Sequence, residues 1–205
     1  MDLLLRPIIV EKMNRMTKFG AWVVVAGITC SAAFAGHDTE ATSGGQFVAD
    51  LLREAGGADI AFMPADGLRA KFEADNFKTI LKYPTEGISV ITLTGTQIRQ
   101  ALERSVSLAP TPNDGFLQVS NLEFTYNPRQ EPDRRIVSLN IAGAKLDEKR
   151  TYTVAMPANL ARGGLGYFKV WDREQIKKSL AGVTMEDILA QKAFRESAGR
   201  IKTAN

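Results

Sequence analysis

Three segments in the second half of the chain alternate between apolar and polar residues, and this alternation constrains the fold more than any other feature. The alternating apolar residues are Leu122, Phe124 and Tyr126, then Val137, Leu139 and Ile141, then Tyr152, Val154 and Met156. A period of two places one face of a strand against a core and the other near water, as in antiparallel or mixed sheets. We therefore expect a mixed, largely antiparallel sheet.

Helical periodicity elsewhere predicts helices that flank this sheet. Apolar residues recur on one stripe over 46–55, before two glycines that end the pattern. Thr94 or Thr96 can cap a second helix, and Thr184 opens a last helix that is expected to carry Phe194. The predicted fold class is α+β, with a single domain.

The first 35 residues are predicted to be an export signal. The basic residues Lys12, Arg15 and Lys18 precede an uncharged run. That run ends in Ala33-Phe34-Ala35, a small-x-small sequence that places the cleavage before Gly36. We expect an exported, periplasmic protein that is not attached to a membrane once the signal is removed.

Other interpretations of this segment stay open. It could anchor the chain in a membrane, although the uncharged run is short for a span. Cys30 could carry a lipid, and translation could begin at Met13 or Met16. After the signal, residues 36–45 are expected to form a flexible lead-in, and residues 46–205 the domain.

The residue inventory argues against several kinds of catalytic site. The chain has one His and one Cys, which excludes a zinc site built from these residues and a disulfide within the chain. The single histidine, His37, lies beside the predicted cleavage site, so a Ser-His-Asp triad is not expected. The net charge is only +3, and the residues after 35 are almost balanced, so no nucleic-acid partner is expected.

Two loops that follow predicted strands are the candidates for a ligand site. Asp66-Gly67-Leu68-Arg69 comes after the apolar run 59–63, and residues 159–166 follow the third alternating segment. Ligands usually bind in loops at strand ends, although these glycines could also serve only turns with positive φ. Asp66 and Glu86 could form a pair of catalytic carboxylates, with solvated surface side chains as the default interpretation.

Six short motifs occur in order between residues 44 and 202. They are Gly44–Asp50, Ala58–Met63 with Gly67-Leu68-Arg69, Leu93–Ile98, Phe116–Tyr126, Arg150–Ala155 and Gly163–Tyr167, followed by the ending Gly199-Arg200-Ile201. Together they resemble the C-terminal domain of the 5′-nucleotidase family, including its motifs Asn-x-Gly-Gly-Ile-Arg, Leu-Thr-Gly-x-Gln-Leu and Phe-Leu-Gln-Val-Ser-Gly-Leu.

The resemblance implies a substrate-binding domain without a hydrolytic centre of its own. Full-length members carry a separate N-terminal metallophosphoesterase domain that holds two metal ions and cleaves the phosphate ester. No catalytic residue, metal ligand or cofactor is therefore assigned to this chain, and divalent metals are implied only for a partner domain. Whether the chain takes part in an enzyme stays open.

The candidate substrate-binding residues combine the two loops with this resemblance. They are Asp66, Gly67, Arg69, Tyr83, Asn159, Arg162, Gly163 and Gly164. Arg69 matches the family arginine that contacts the ligand, and its guanidinium suits an anion or vicinal hydroxyls. The family's stacking phenylalanines are absent, because Pro84 or Thr85 and Asn159 stand at those positions, and Tyr83 could supply one ring. Leu165 replaces a family aspartate, and Pro64 replaces an asparagine.

Two functions follow from this pattern. In the first, the chain is the binding half of a split 5′-nucleotidase-type hydrolase in nucleotide catabolism, and it works with a separately encoded metallophosphoesterase on a small anionic ligand. In the second, it is a repurposed binding or interaction module that has lost nucleotide recognition. Independent catalysis by this chain is a third, smaller possibility.

Overall fold

The computed structural model describes residues 38–73, 75–190, 192–195 and 199–204. The predicted signal peptide, its cleavage site and Cys30 lie outside these residues. No helix in the described ranges is both long enough and apolar enough to span a membrane.

The described chain contains four α-helices and nine strands. The helices are α1 (Ser43–Gly56), α2 (Gly95–Ser105), α3 (Ala158–Ala161) and α4 (Met185–Leu189). The strands are β1 (Ile60–Pro64), β2 (Gly87–Thr94), β3 (Leu117–Ser120), β4 (Leu122–Tyr126), β5 (Ile136–Ile141), β6 (Ala144–Lys145), β7 (Thr151–Pro157), β8 (Ile176–Thr184) and β9 (Ile201–Thr203). Short 3-10 turns cover Ala65–Gly67, Phe77–Ile80, Gly164–Lys169 and Arg173–Gln175.

Five of these strands form the main sheet, in the order β3-β1-β7-β2-β8. The neighbours β1 and β7 run parallel, with Ile60 opposite Val154. The other three pairs are antiparallel. A mixed and largely antiparallel arrangement is thus confirmed.

The remaining four strands form a second, smaller sheet, in the order β6-β5-β4-β9. Here only β4 and β9 run parallel. The prediction of one sheet was too simple, because the first two alternating segments pair with each other and the third lies at the centre of the main sheet. Alternation does not show which strand a segment pairs with. It was also wrong at Val137, which is 61% exposed, because a register shift between β4 and β5 places Ile136 opposite Tyr126 and buries Ile136 instead.

The main sheet has a separate hydrophobic cluster on each face. In β1, Ile60 and Phe62 join the cluster beneath α2 and the small sheet, whereas Ala61 and Met63 join the cluster beneath α1 and α4. All five residues of β1 are buried, because both faces of the strand are covered. The loops at the ends of this sheet therefore stand on a rigid base.

The helix boundaries follow local capping signals. Thr42 caps α1, which begins at Ser43 inside the predicted lead-in, and Gly57 ends the helix in the left-handed conformation. Thr94, one of the two predicted caps, forms a capping box with Gln97. The last helix is shorter than predicted, since α4 ends at Leu189.

Candidate functional site

Three loops converge at one edge of the main sheet. Because β1 and β7 are parallel neighbours, their carboxyl ends, Pro64 and Pro157, lie at the same edge. The antiparallel strand β2 begins there too, with Ile88 opposite Pro157. Ligands usually bind in loops at strand ends, so we take this edge as the candidate site.

A narrow cleft lies between these loops. It is lined by Pro64, Asp66, Gly67, Tyr83, Glu86, Pro157, Asn159, Leu160 and Leu165. Its open volume is about 20 Å³. A cavity of that size has room for about one water molecule, so the cleft is shallow.

The first wall of the cleft is residues 65–69, which we call the Asp-Gly loop. Its main chain is paired with residues 80–82: Arg69 N donates to Ile80 O over 2.8 Å, and Gly67 O accepts from Lys82 N over 2.9 Å. A side chain at Gly67 would overlap the Cε of Met63, so a glycine lets the loop pack on the core. Lys82 Nζ lies 3.6 Å from Asp66 Oδ1.

Arg69 does not line this cleft. Its side chain lies beside residues 80–82, where Nε donates to the carbonyl of Leu81 over 3.1 Å. Although the residue as a whole is exposed, part of its guanidinium is thus bound to the chain itself.

The opposite wall is held by Glu86 and Asn159. The backbone N–H of Asn159 donates to Glu86 Oε1 over 2.7 Å, which ties the start of β2 to α3. Burial raises the pKa of Glu86 above its ordinary value, and the charge of Asp66 adds to this rise. The hydrogen bond from Asn159 and the charge of Arg162 act in the opposite direction.

Residues 163–166, the glycine loop, follow α3, and three of the four adopt left-handed conformations. The φ angles are +87° at Gly163, +56° at Leu165 and +80° at Gly166. Gly164 lies against Asn159, since a Cβ there would stand 2.8 Å from the carbonyl oxygen of Asn159. Leu165 is one of the residues that line the cleft.

Buried side chains fix the glycine loop from behind. Tyr167 donates its hydroxyl to Gly115 O over 2.6 Å, and Trp171 Nε1 donates to Leu160 O over 2.9 Å. The two rings stack with their centroids 4.7 Å apart. Arg104 donates two N–H groups to the carbonyl of Leu165 and lies over the Tyr167 ring.

Both walls are also bound to one short segment, residues 114–116. Ala65 N donates to Phe116 O over 2.8 Å, and Asp66 N donates to Asp114 O over 2.9 Å. Between these two acceptors, Gly115 O receives the Tyr167 hydroxyl. The separation of the two walls therefore depends on this segment.

The structure brings most of the predicted residues together. Four of them line the cleft: Asp66, Gly67, Tyr83 and Asn159. The charge of Arg162 acts on Glu86 at the same place, and Gly163 and Gly164 form the loop behind Asn159. Arg69, Arg162, Gly163 and Gly164 do not line the cleft, and of these Arg69 is turned toward residues 80–82.

Two residues of the site were missed by the sequence analysis as binding residues. Glu86 was considered only as a catalytic partner of Asp66, and Arg104 was assigned no role. Glu86 precedes a strand rather than following one, so the strand-end rule could not find it. Within the ranges that the structure describes, no three His, Cys, Asp or Glu residues are grouped so as to hold a metal ion.

Comparisons with a family model and with curated proteins indicate the same family. The family described as 5′-nucleotidase, C-terminal domain, matches residues 24–173. The trifunctional nucleotide phosphoesterase protein YfkN of Bacillus subtilis is 31% identical over 63% of this chain and 10% of its own length. A snake venom 5′-nucleotidase of Naja atra is 34% identical over 38% of this chain and 16% of its own length. The chain thus spans a small part of these curated relatives.

The solved structures share the fold. The 5′-nucleotidase precursor of Thermus thermophilus superimposes with a TM-score of 0.71 at 23% identity. The match covers 84% of this chain and 37% of that protein.

Proposed function

The chain belongs to the family of 5′-nucleotidase C-terminal domains, and on this basis we propose that it is the substrate-binding part of a 5′-nucleotidase-type hydrolase. Its ligand is a small, nucleotide-like anion, and the metal ions that cleave the ester are supplied by a separate metallophosphoesterase domain. By itself the chain binds but does not hydrolyse. The predicted signal peptide supports the proposal that this role is carried out in the periplasm.

The observation that carries this proposal is the convergence of an aromatic ring and a cation on one cleft. Tyr83 lines the cleft and is 49% exposed, so its ring is accessible to a planar base. Arg162 is exposed on the loop that follows α3, close enough for its charge to act on Glu86. In this proposal the base of the nucleotide stacks on Tyr83 and its phosphate lies near Arg162.

The depth of the cleft supports a partner. Pockets that bury a small ligand usually have volumes of about 300–1,000 Å³, whereas this cleft has an open volume of about 20 Å³. A ligand held here would leave much of its surface uncovered. A second domain that closes over the cleft would complete the site and bring its metal ions to the exposed phosphate.

The second candidate, a module without nucleotide recognition, is favoured by a different observation. The Nε of Arg69 is bound to Leu81 O, and Asn159 stands where the family carries a stacking phenylalanine. In that case the cleft residues would contribute no affinity for nucleotides.

Calorimetric titration with AMP and with adenosine tests these functions. We expect Tyr83→Ala to weaken both ligands by about tenfold, since stacking on one base contributes roughly 1–3 kcal/mol. Arg162→Gln is expected to weaken AMP more than adenosine, because only AMP carries the phosphate. Arg129→Gln, an exposed arginine in the turn between β4 and β5, serves as the matched control.

Two outcomes would contradict the proposal. Flat titrations with both ligands would favour the module without nucleotide recognition. Release of phosphate from AMP by the purified chain with Mn²⁺, lost in a defined variant of this chain, would show that it is a hydrolase on its own.

A further inference from the structure

A second cavity is lined in part by Arg104, the residue that binds the glycine loop. It has a volume of about 580 Å³, within the range of small-molecule sites. Its charged and hydroxyl-bearing lining comes from α2 and the residues just after it, the turn before β5 and the segment after the glycine loop: Arg99, Glu103, Arg104, Ser107, Asp133 and Lys169. We call it the basic groove.

One of the two carboxylates in the lining already accepts hydrogen bonds from the protein backbone. Glu103 is 5% exposed, and its oxygens accept the backbone N–H groups of Arg135 and Ile136, each over 2.8 Å. Its negative charge is therefore directed into the protein. Asp133 is the other carboxylate in the lining, on an exposed turn. With Glu103 included, the lining has three cations and two carboxylates, and Arg99 is also ion-paired with Glu148.

The lining cations keep hydrogen-bond donors available. Arg99 uses Nε for Glu148, at 2.7 Å, and among the described residues its two terminal nitrogens have no partner. Arg104 uses Nε and one terminal nitrogen for Leu165 O. Lys169 is exposed and has three donors. The N–H donors that these side chains do not use within the protein can bind an anion.

We propose that the basic groove is a second binding site, for a small phosphate-bearing anion held by Arg99, Arg104 and Lys169. Guanidinium groups bind phosphate oxygens through paired N–H donors, and an ammonium adds a point charge. The groove differs from the cleft in both its residues and its place on the fold.

Arg104 connects this site to the cleft. Its guanidinium carbon lies 5.3 Å from the centroid of the Tyr167 ring, and the same group binds Leu165 O. An anion bound in the groove would contact the same Arg104 that donates to Leu165 O. Binding in the groove therefore changes how firmly Arg104 fixes the glycine loop, which is one wall of the cleft. Such coupling acts equally in both directions.

Calorimetric titration with inorganic phosphate at constant ionic strength tests the site. We expect saturable binding that Arg99→Gln and Lys169→Gln each weaken by about fivefold, the scale of a partly exposed ionic contact. Both residues are at the surface, so the variants are expected to fold. Lys202→Gln, on strand β9 of the small sheet, is the matched control and is expected to bind as the parent does.

Three results would overturn the proposal. The first is a titration without saturable heat. The second is an equal loss of phosphate affinity in Lys202→Gln, which would mean that phosphate is attracted to positive charge in general and not bound at the groove. The third is a loss in Arg162→Gln with none in the groove variants, which would assign the phosphate to the cleft.

Discussion

The two walls of the cleft are held in place by different means. The Asp-Gly loop is attached through its main chain, with Arg69 N on Ile80 O and Lys82 N on Gly67 O. The glycine loop is attached through buried side chains, with Tyr167 and Trp171 stacked beneath it. Main-chain bonds do not depend on side-chain identity, whereas a stacked pair does.

This difference separates two tasks. Side chains on the Asp-Gly loop can change without loss of its anchoring, so this wall can be adapted to a new ligand. Substitutions beneath the glycine loop disturb its position. We infer that the geometry of the cleft depends more on the side chains beneath the glycine loop than on those of the Asp-Gly loop.

The largest effect is expected from the aromatic support of the glycine loop. Trp171→Ala removes a ring that is 2% exposed, stacks on Tyr167 and packs on Phe62. Truncation of a buried tryptophan lowers the free energy of unfolding by about 3–5 kcal/mol, which chemical denaturation would measure. Phe168→Ala is the control, since Phe168 is 66% exposed and should change stability by less than about 0.5 kcal/mol. Similar effects of the two variants would contradict the side-chain anchoring.

An intermediate effect is expected from a methyl group added to each wall. Gly166→Ala meets Arg104 and forces a side chain into a φ of +80°, so we expect a loss of about 2 kcal/mol in the free energy of unfolding. Gly67→Ala meets only the flexible end of Met63 and should cost less than about 1 kcal/mol.

Gly57→Ala measures the cost of a left-handed backbone conformation alone, without a steric clash. Gly57 also has a positive φ, of +59°, but open space around it. We expect about 1 kcal/mol from the left-handed conformation alone. If Gly166→Ala and Gly57→Ala cost the same, Arg104 does not contribute to the anchoring of the glycine loop.

The smallest effect is expected from Glu86→Gln, and it depends on pH. Burial raises the pKa of Glu86, so the folded state holds its proton more tightly than the unfolded state. The stabilisation from protonated Glu86 is complete below the ordinary glutamate pKa and is lost as the pH rises through the raised value. As the pH rises from the ordinary glutamate pKa through the raised pKa of Glu86, the free energy of unfolding of Glu86→Gln should therefore increase relative to that of the parent. Chemical denaturation at several pH values would measure this difference. A difference independent of pH would contradict the shift.

Much of the fold could be predicted from the sequence, because the patterns that indicate its helices and strands are local. Alternation at residues 122–126 and the capping boxes at Thr94 and Thr184 need no knowledge of distant residues. Strand β8 was missed because it is an edge strand with mostly exposed residues, including Lys177 and Lys178. Without a buried face, an edge strand shows no alternation.

The site was accessible only in part. The two loops were found because they follow strands, but the contact between Glu86 and Asn159 depends on the register of β2 against β7. The hold of Arg104 on Leu165 likewise joins residues 61 positions apart. A single sequence contains no signal for such long-range pairs.

The attachment of both walls to residues 114–116 has a consequence for how this protein can vary. Extra residues in the preceding turn, 107–112, would leave the aperture between the walls unchanged. One extra residue after Asn113 would displace the acceptors at Asp114 and Phe116 and so change the size of molecule admitted. Differences in length among relatives are therefore expected to gather before Asn113, and those that fall after it to accompany a change of ligand.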